Sequence, residues 1–150
     1  MDAKTSDTPQ PFGKQEGKVD VKTSDIPQFT CGLDATLAVI GGKWKPLILY
    51  FLGYGSKRYG ELKRCVRGVS DKMLIQQLKE LEADGIVVRT DHKEIPPRVD
   101  YALTPFGWSL GEALIPLCGW GVHNSEAIAS AVAKRKEADS LLPTGSSSSD

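Results

Sequence analysis

The sequence SDKMLIQQLKELEADG, at residues 70–85, decides the fold. Ser70 is a favourable N-cap residue, and Gly85 fits the position just past the end of a helix. Between them, Leu74, Leu78 and Leu81 recur at spacings of four and three, which places them on one helical face. Four residues lie on the opposite face: Lys72, Gln76, Lys79 and Ala83. The pattern predicts a helix over residues 71–84 that packs on a core and presents a polar, basic outer face.

The segments that follow this helix predict a β-hairpin. Residues 86–90 (IVVRT) are rich in β-branched side chains, and residues 99–103 (VDYAL) carry apolar side chains at alternate positions. Both patterns are typical of strands. The segment between them contains Pro96 and Pro97, which favour a loop. The sequence therefore predicts a short, exposed, two-stranded wing.

Three helices are predicted before residue 70. The first ends at Gly41-Gly42, and Pro46 suits the first turn of the second. The run LILYFL at residues 47–52 is apolar nearly all round, so we expect the second helix to be buried. A very short strand at residues 57–59 and a helix from residue 60 to 65 or 66 complete this part.

A last helical region follows the wing. Thr104 and Pro105 form an N-cap and first-turn pair, and apolar residues continue as far as Trp120. Pro116 is expected to kink or interrupt this helix, and residues 121–135 are expected to continue it. The order of elements predicts a mainly α fold with a small β-hairpin wing, which is the winged helix-turn-helix arrangement. Because the first and last helices are more apolar than one small core needs, we expect the chain to dimerise through its N- and C-terminal helices.

Charge is unevenly distributed along the 150 residues. The net charge is zero, with 19 basic and 19 acidic residues and 40% hydrophobic residues, which excludes a histone-like basic protein and an acidic disordered chain. Residues 43–98 nevertheless hold twelve Lys or Arg and seven Asp or Glu, a local charge of +5 where a polyanion would bind. We expect a flexible N-terminal arm at residues 1–28, a folded domain at 29–135 and a disordered tail at 136–150.

Location follows from the absence of apolar segments. No apolar run approaches the ~20 residues that a membrane span needs, so no membrane partner is expected. The first residues lack the apolar stretch of a secretory signal. The sequence therefore predicts a cytoplasmic protein.

Several of these segments together resemble the HxlR-type bacterial transcription regulators, which are related to MarR-like regulators. The resemblance covers about residues 31–121 without gaps and rests on Cys31, LAVIGGKWK at 37–45, SDKMLIQQLKELEADG at 70–85, VRT at 88–90, PPRVDYALT at 96–104 and LCGW at 117–120. It implies a homodimer that binds operator DNA through winged helix-turn-helix domains, with repression as the usual mode. It also implies that a cysteine near the first helix can respond to electrophiles or oxidants, as in some members.

Within this fold the predicted partner is double-stranded DNA. The N-terminal half of the second helix of a helix-turn-helix meets the bases, so Gln76 is expected to contact adenine and Lys72 a guanine or a phosphate. Ser70 and the helix N-terminus suit a phosphate. Six further basic residues are predicted to reach the DNA backbone: Lys43, Lys57, Arg58, Lys63, Arg64 and Lys79. Arg98 and Lys93, at the wing, are predicted to reach a minor groove or its phosphates. For Arg98 the alternative is a structural ion pair, and for Lys72 and Gln76 it is a merely solvated face.

The three cysteines predict a thiol sensor rather than a metal site. They form no C-x-x-C pair, and the two histidines add no metal-ligand spacing, so neither a metal nor a cofactor is expected. Cys31 precedes a helix start, where the dipole favours a reactive thiolate. It also matches the sensing position implied by the resemblance. The alternative for Cys31 is a merely structural role. Cys65 is expected to be buried and Cys118 to be buried at the dimer surface, and either one, or neither, could pair with Cys31.

Three alternatives compete with this interpretation. Regulation could come from a non-covalent small-molecule ligand, and the winged helix could serve protein contacts only. An enzyme would use Cys31 or Cys118 with His123, but the sequence has no nucleophile elbow, dinucleotide motif or P-loop. We therefore predict that the chain is not an enzyme.

Overall fold

The computed structural model describes residues 28–143, in two compact units that meet between Leu114 and Ile115. The helices and strands, in chain order, are α1 (Gly32–Ile40), α2 (Trp44–Leu52), β1 (Lys57–Arg58), α3 (Tyr59–Cys65), α4 (Asp71–Ala83), β2 (Val87–Asp91), β3 (Val99–Leu103), α5 (Pro105–His123) and α6 (Ser125–Leu141). The predicted N-terminal arm, except for Gln28, and the end of the predicted tail, residues 144–150, lie outside the described residues.

Helix α4 forms as its sequence predicts. The Ser70 hydroxyl caps it by accepting a hydrogen bond from the Met73 N–H at 3.1 Å. Gly85 follows the C-cap with a positive φ of 75°, which glycine adopts without strain. The leucines of its inner face, Leu74, Leu78 and Leu81, are fully buried. The outer face of α4 is thereby fixed toward solvent.

The core of the first unit lies between α2, α3, α4 and the sheet. Helix α2 contributes Ile48, Leu49 and Leu52, all of which are buried. The prediction that α2 is buried all round is wrong on one side, because Tyr50 is 43% exposed. An apolar run of six residues covers every direction around a helix, whereas a small domain supplies packing partners for only part of that circumference.

The sheet has three strands rather than the two of a simple hairpin. Its order is β1-β3-β2 and both pairings are antiparallel. Val87 lies opposite Leu103 in the wing, and Lys57 lies opposite Tyr101 at the edge. The short strand before α3 therefore anchors the wing to the helix-turn-helix. This arrangement confirms the predicted mainly helical, winged helix-turn-helix fold.

The start of α5 is held by Thr104. Its hydroxyl accepts a hydrogen bond from the Gly107 N–H at 3.0 Å, so the predicted N-cap and the first-turn position of Pro105 are confirmed. Gly107 is buried, and any side chain there would meet the backbone of Ile86. Leu110 also packs against the core.

The last helices differ from prediction at two points. Pro116 does not interrupt α5, which continues to His123. The proline costs one hydrogen bond to the carbonyl of Glu112, which is exposed and can bond to water instead. The break comes at Asn124, whose side chain donates to the Trp120 carbonyl at 2.9 Å. Helix α6 then runs to Leu141, so residues 136–141 are helical and not part of a disordered tail.

Within residues 28–143, no single helix is long and apolar enough to cross a membrane. In that range, only α1 and α2 taken together have the length and composition of a membrane-crossing segment, and these two helices are bent by 82° relative to each other.

Candidate nucleic-acid interface

The outer face of α4 gathers three residues predicted to contact DNA. Lys72, Gln76 and Lys79 are all exposed, because the leucines on the other side of the helix hold that side in the core. Lys72 makes no ion pair with any residue in the described range 28–143. Three polar side chains therefore project from one solvent-facing helical surface.

The N-terminus of α4 is tied to α3 by Asp71. The Tyr59 hydroxyl donates to Asp71 Oδ1 at 2.6 Å, and Lys63 Nζ lies 3.8 Å from the same oxygen. Burial, followed by the hydrogen bond to Asp71, raises the pKa of Tyr59 to about 12. The Ser70 hydroxyl accepts from Met73, and its own proton remains available to an anion. The predicted phosphate site at this helix start is therefore exposed, with Lys63 beside it.

An open groove of about 880 Å³ runs between α3, α4 and the sheet. Five basic residues line it: Arg58, Arg64, Lys79, Arg89 and Arg98. Glu61 and Glu82 are the acidic residues of the lining. A negatively charged strand lying beside α4 would meet an excess of positive charge here.

Arg89 is a groove residue that the sequence analysis missed. It lies on β2 opposite Tyr101, and its Nη2 is 4.0 Å from Asp91 Oδ2. Strand alternation places Arg89 on the same side as the buried Val87, while the exposed Val88 faces the other way. That alternation was the available signal, because it distinguishes the inner side of the wing from the outer one.

The base of the wing is an ion-pair cluster around Asp100. Arg98 Nη2 lies 3.1 Å from Asp100 Oδ2, and His92 Nε2 lies 2.9 Å from the same oxygen. Hydrogen bonds first from Arg98 and then from His92 lower the pKa of Asp100. The hydrogen bond with Asp100 in turn raises the pKa of Arg98. The structural ion pair considered as the alternative for Arg98 is thus present, and Arg98 still lines the groove.

The far end of the wing carries Lys93 and Ile95. Lys93 has a positive φ of 51°, and its N–H donates to Asp91 Oδ1 at 2.9 Å. Ile95 is 99% exposed. Four predicted basic contacts, Lys43, Lys57, Lys63 and Lys93, do not line the groove. Lys43 lies over the Trp44 ring, 4.7 Å from its centroid, and Trp44 packs against the core.

A second group missed from sequence connects α2 to α4. Lys45 is 7% exposed, and its Nζ lies 2.7 Å from Glu80 Oε1. Gln76 Nε2 donates to the other oxygen of Glu80 at 3.3 Å. These hydrogen bonds, with the one from Lys45 the larger, lower the pKa of Glu80. No local pattern in the apolar sequence of α2 marks Lys45 as facing inward.

All three cysteines are free thiols. Cys31 is the N-cap residue of α1 and is exposed, as its predicted position requires, and its side chain makes no capping hydrogen bond. Cys65 was expected to be buried but is half-buried, in a cleft beside Leu47 and Phe51. Cys118 is exposed on this single chain. In the described range, no group of three His, Cys, Asp or Glu side chains could hold a metal ion.

A capped helix with an exposed polar face, flanked by a basic groove and a wing, defines the class of winged helix-turn-helix DNA-binding regulators. The model of the HxlR-like helix-turn-helix family matches residues 39–129. The chain therefore belongs to the HxlR-like helix-turn-helix family. It is a transcriptional regulator and not an enzyme.

Known proteins similar to the chain agree with this assignment. It is 50% identical over 101 residues to the uncharacterized HTH-type transcriptional regulator YkvN of Bacillus subtilis, covering 67% of this chain and 86% of YkvN. A MarR-family regulator structure from Porphyromonas gingivalis is 37% identical with a TM-score of 0.61, covering 63% of this chain and 92% of that one. A structure of the redox regulator HypR in its oxidized form is 44% identical with a TM-score of 0.60, covering 63% of this chain and 97% of HypR.

Proposed function

We propose that this protein is a homodimeric repressor that acts in the cytoplasm, binds a palindromic operator and senses oxidants or electrophiles through Cys31. The observation that carries the DNA-binding part is the exposed outer face of α4 beside the basic groove. A helix of 13 residues is about 20 Å long and fits the major groove of B-DNA.

In the proposed complex, α4 lies in the major groove. Gln76 offers a donor and an acceptor to adenine, and Lys72 reaches guanine or a phosphate. The Ser70 hydroxyl and the N-terminus of α4 hold a phosphate. The basic groove follows the DNA backbone with Arg58, Arg64, Lys79, Arg89 and Arg98. Four more basic side chains are proposed to reach flanking phosphates: Lys43, Lys57, Lys63 and Lys93.

Apolar side chains left exposed on the single chain support a second copy as partner. On α1, Leu33 is 67% exposed and Leu37 is exposed as well. In the second unit, the end of α5 exposes four large apolar side chains: Ile115, Leu117, Trp120 and Val122. Patches of this kind mark association surfaces in proteins. A twofold dimer would present two copies of α4 to the two halves of a palindrome.

The sensing proposal rests on the exposure of Cys31 at the start of α1 and on the similarity to HypR. An electrophile would alkylate its thiolate. An oxidant would instead take two electrons and two protons from Cys31 and a second cysteine, which form a disulfide. Cys65 and Cys118 are both candidates for that second thiol. Because Cys31 lies on a proposed dimer helix, either reaction would change the spacing of the two α4 helices.

The DNA-binding proposal is tested with a duplex that the wild-type protein selects from a randomised library. We expect Gln76→Ala and Lys72→Ala to weaken binding about 5- to 150-fold each, from ~1–3 kcal/mol per base contact, without lowering the melting temperature. Lys136→Ala, which removes the same charge from α6, is the control and should bind normally. Unchanged affinity in both α4 variants would refute α4 as the recognition helix.

The sensing proposal is tested by binding the same duplex before and after treatment with diamide. After diamide treatment, the wild-type protein should release the duplex, and it should bind the duplex again once it is reduced. The Cys31→Ser protein should remain bound throughout. Cys65→Ser and Cys118→Ser, treated in parallel, identify the partner thiol. An equal response of wild type and Cys31→Ser would show that Cys31 is not the sensor and would leave the DNA-binding proposal intact.

A further inference from the structure

Lys45 is the only charged side chain buried in the core of the residues that the structure describes, 28–143. It lies on α2 among buried aliphatic residues, and its ammonium meets one carboxylate, Glu80 on α4, at 2.7 Å. The Lys45 side chain is buried, whereas that of Glu80 is 45% exposed. Such an ion pair adds little stability over an apolar pair of similar size, because water weakens the attraction and desolvation of the lysine offsets the rest. Packing alone therefore gives no reason for a lysine at this position.

The second oxygen of Glu80 connects this pair to the proposed DNA surface. It accepts a hydrogen bond from Gln76 Nε2, one helical turn away, at 3.3 Å. The Glu80 carboxylate is ionised at neutral pH, and the hydrogen bond from Lys45 lowers its pKa further. An ionised carboxylate only accepts hydrogen bonds, so the side of Gln76 that faces Glu80 must be the amide nitrogen.

This constraint determines how Gln76 meets a base. A glutamine reads adenine with both ends of its amide: the oxygen accepts from the base N6–H, and the nitrogen donates to N7. The two N–H bonds of Gln76 allow one to remain on Glu80 while the other contacts the base. A free glutamine could turn its amide over and exchange donor for acceptor, whereas a glutamine fixed by Glu80 cannot.

We propose that Lys45 and Glu80 are positioning residues that fix the amide of Gln76 in one orientation and thereby set the preference for adenine at one base pair. The inference rests on the proposed role of Gln76 in DNA recognition and specifies how that role is tuned. Lys45 and Glu80 do not need to touch DNA themselves. Their effect is confined to the base pair that Gln76 reads.

Glu80→Gln is the most informative substitution because it keeps the shape and reverses the hydrogen bonding. Its new carbonyl can accept from Lys45, which leaves an amide N–H₂ facing Gln76. Gln76 then turns its oxygen toward position 80 and presents the opposite pattern to the base. Asp84→Asn removes the same charge from the C-cap of α4, at a residue that does not line the basic groove, and it serves as the matched control.

The assay measures the affinity of each full-length variant for the duplex selected by wild type and for every single-base-pair variant of that duplex. The base pair that Gln76 reads is identified as the position at which Gln76→Ala no longer prefers the wild-type base pair over the other three. Wild type and Asp84→Asn should discriminate about 5- to 150-fold there, the usual cost of one mismatched pair. Glu80→Gln should discriminate less than about threefold at that pair and normally elsewhere. In a Gln76→Ala background, Glu80→Gln should change nothing further at that pair.

Two outcomes overturn the positioning role. A uniform loss of affinity at every base pair, or effects that add to those of Gln76→Ala, would assign Lys45 and Glu80 to helix packing. If Gln76→Ala leaves every preference intact, the proposed role of Gln76 fails together with this inference. If Glu80→Gln lowers the melting temperature, Lys45→Met combined with Glu80→Gln removes both charges, and the same local loss of preference is expected.

Discussion

Gly107→Ala is predicted to loosen the junction that joins α4, the wing and α5. Gly107 is buried in the first turn of α5, and an added Cβ would lie 2.1 Å from the carbonyl oxygen of Ile86. That oxygen belongs to the residue between α4 and β2. It accepts a hydrogen bond from the Thr104 N–H at 3.0 Å, which holds it in place.

The cost follows from the distance. Ordinary contact of a Cβ begins at 3.4 Å, so the Ile86 carbonyl or the start of α5 would have to move by about 1.3 Å. Overpacking of this kind costs ~1–3 kcal/mol, and loss of the Thr104 hydrogen bond adds ~1 kcal/mol. The better helix propensity of alanine offsets at most ~1 kcal/mol of this loss in the free energy of unfolding. We therefore expect a net loss of ~1–3 kcal/mol in the free energy of unfolding.

Gly111→Ala, one turn further along α5, is the matched control. Its Cβ would meet nothing closer than Leu103 Cδ1 at 3.9 Å, so we expect it to stabilise the chain by up to ~1 kcal/mol. Urea unfolding followed by circular dichroism, at one fixed protein concentration because the proposed dimer couples stability to concentration, measures both variants. A Gly107→Ala protein as stable as Gly111→Ala would refute the close approach of α5 to Ile86.

Three further predictions concern the recognition helix, the groove and the wing. Ser70→Ala should lower the free energy of unfolding by ~1 kcal/mol through loss of the α4 cap, whereas Ser70→Asp should retain it; equal thermal melts for the two would contradict the cap. Arg89→Gln should reduce the slope of log affinity for duplex DNA against log salt by about 0.9, and an unchanged slope would place the DNA backbone outside the groove. Because Arg98 lowers the pKa of Asp100 in the folded chain, ionised Asp100 stabilises the fold above about pH 4 and loses that effect as the pH falls through its folded pKa. The difference in unfolding free energy between wild type and Asp100→Asn should therefore shrink in acid, and a constant difference from pH 7 to pH 2.5 would refute this.

The elements with strong local signals could be predicted from the sequence. Ser70, the leucine spacing and Gly85 define α4 within one residue of its observed end. Residues 99–103 form β3 as predicted, because alternation and β-branching agree there. The position of Cys31 just before α1 was also predicted from the helix boundary.

Features that depend on pairing between distant segments could not be predicted. The short strand β1 was predicted at residues 57–59, but its pairing with β3 as a third strand of the sheet has no local signal. The buried position of Lys45 depends on its contact with Glu80, 35 residues away. Because α2 is apolar on most sides, its sequence does not indicate which side faces the core. Both contacts hold α4 and the wing in place. The residues on the surface of the interface could therefore be predicted, whereas the contacts between distant segments that position them could not.

Acidic neighbours occupy much of the basic centre in the free chain. Asp71 lies beside Lys63, Asp91 beside Arg89 and Asp100 beside Arg98, at 3.1–4.0 Å. A phosphate that binds one of these cations replaces or shares an existing ion pair, so it gains less than it would from an unpaired lysine. Since the proposed base contacts at α4 would not be weakened in this way, we expect the pairs to reduce binding to arbitrary DNA more than binding to the operator. A net charge of zero has the same effect at long range. The proposed operator complex therefore depends on correct base contacts and on two properly spaced subunits, which is the spacing that modification of Cys31 would alter.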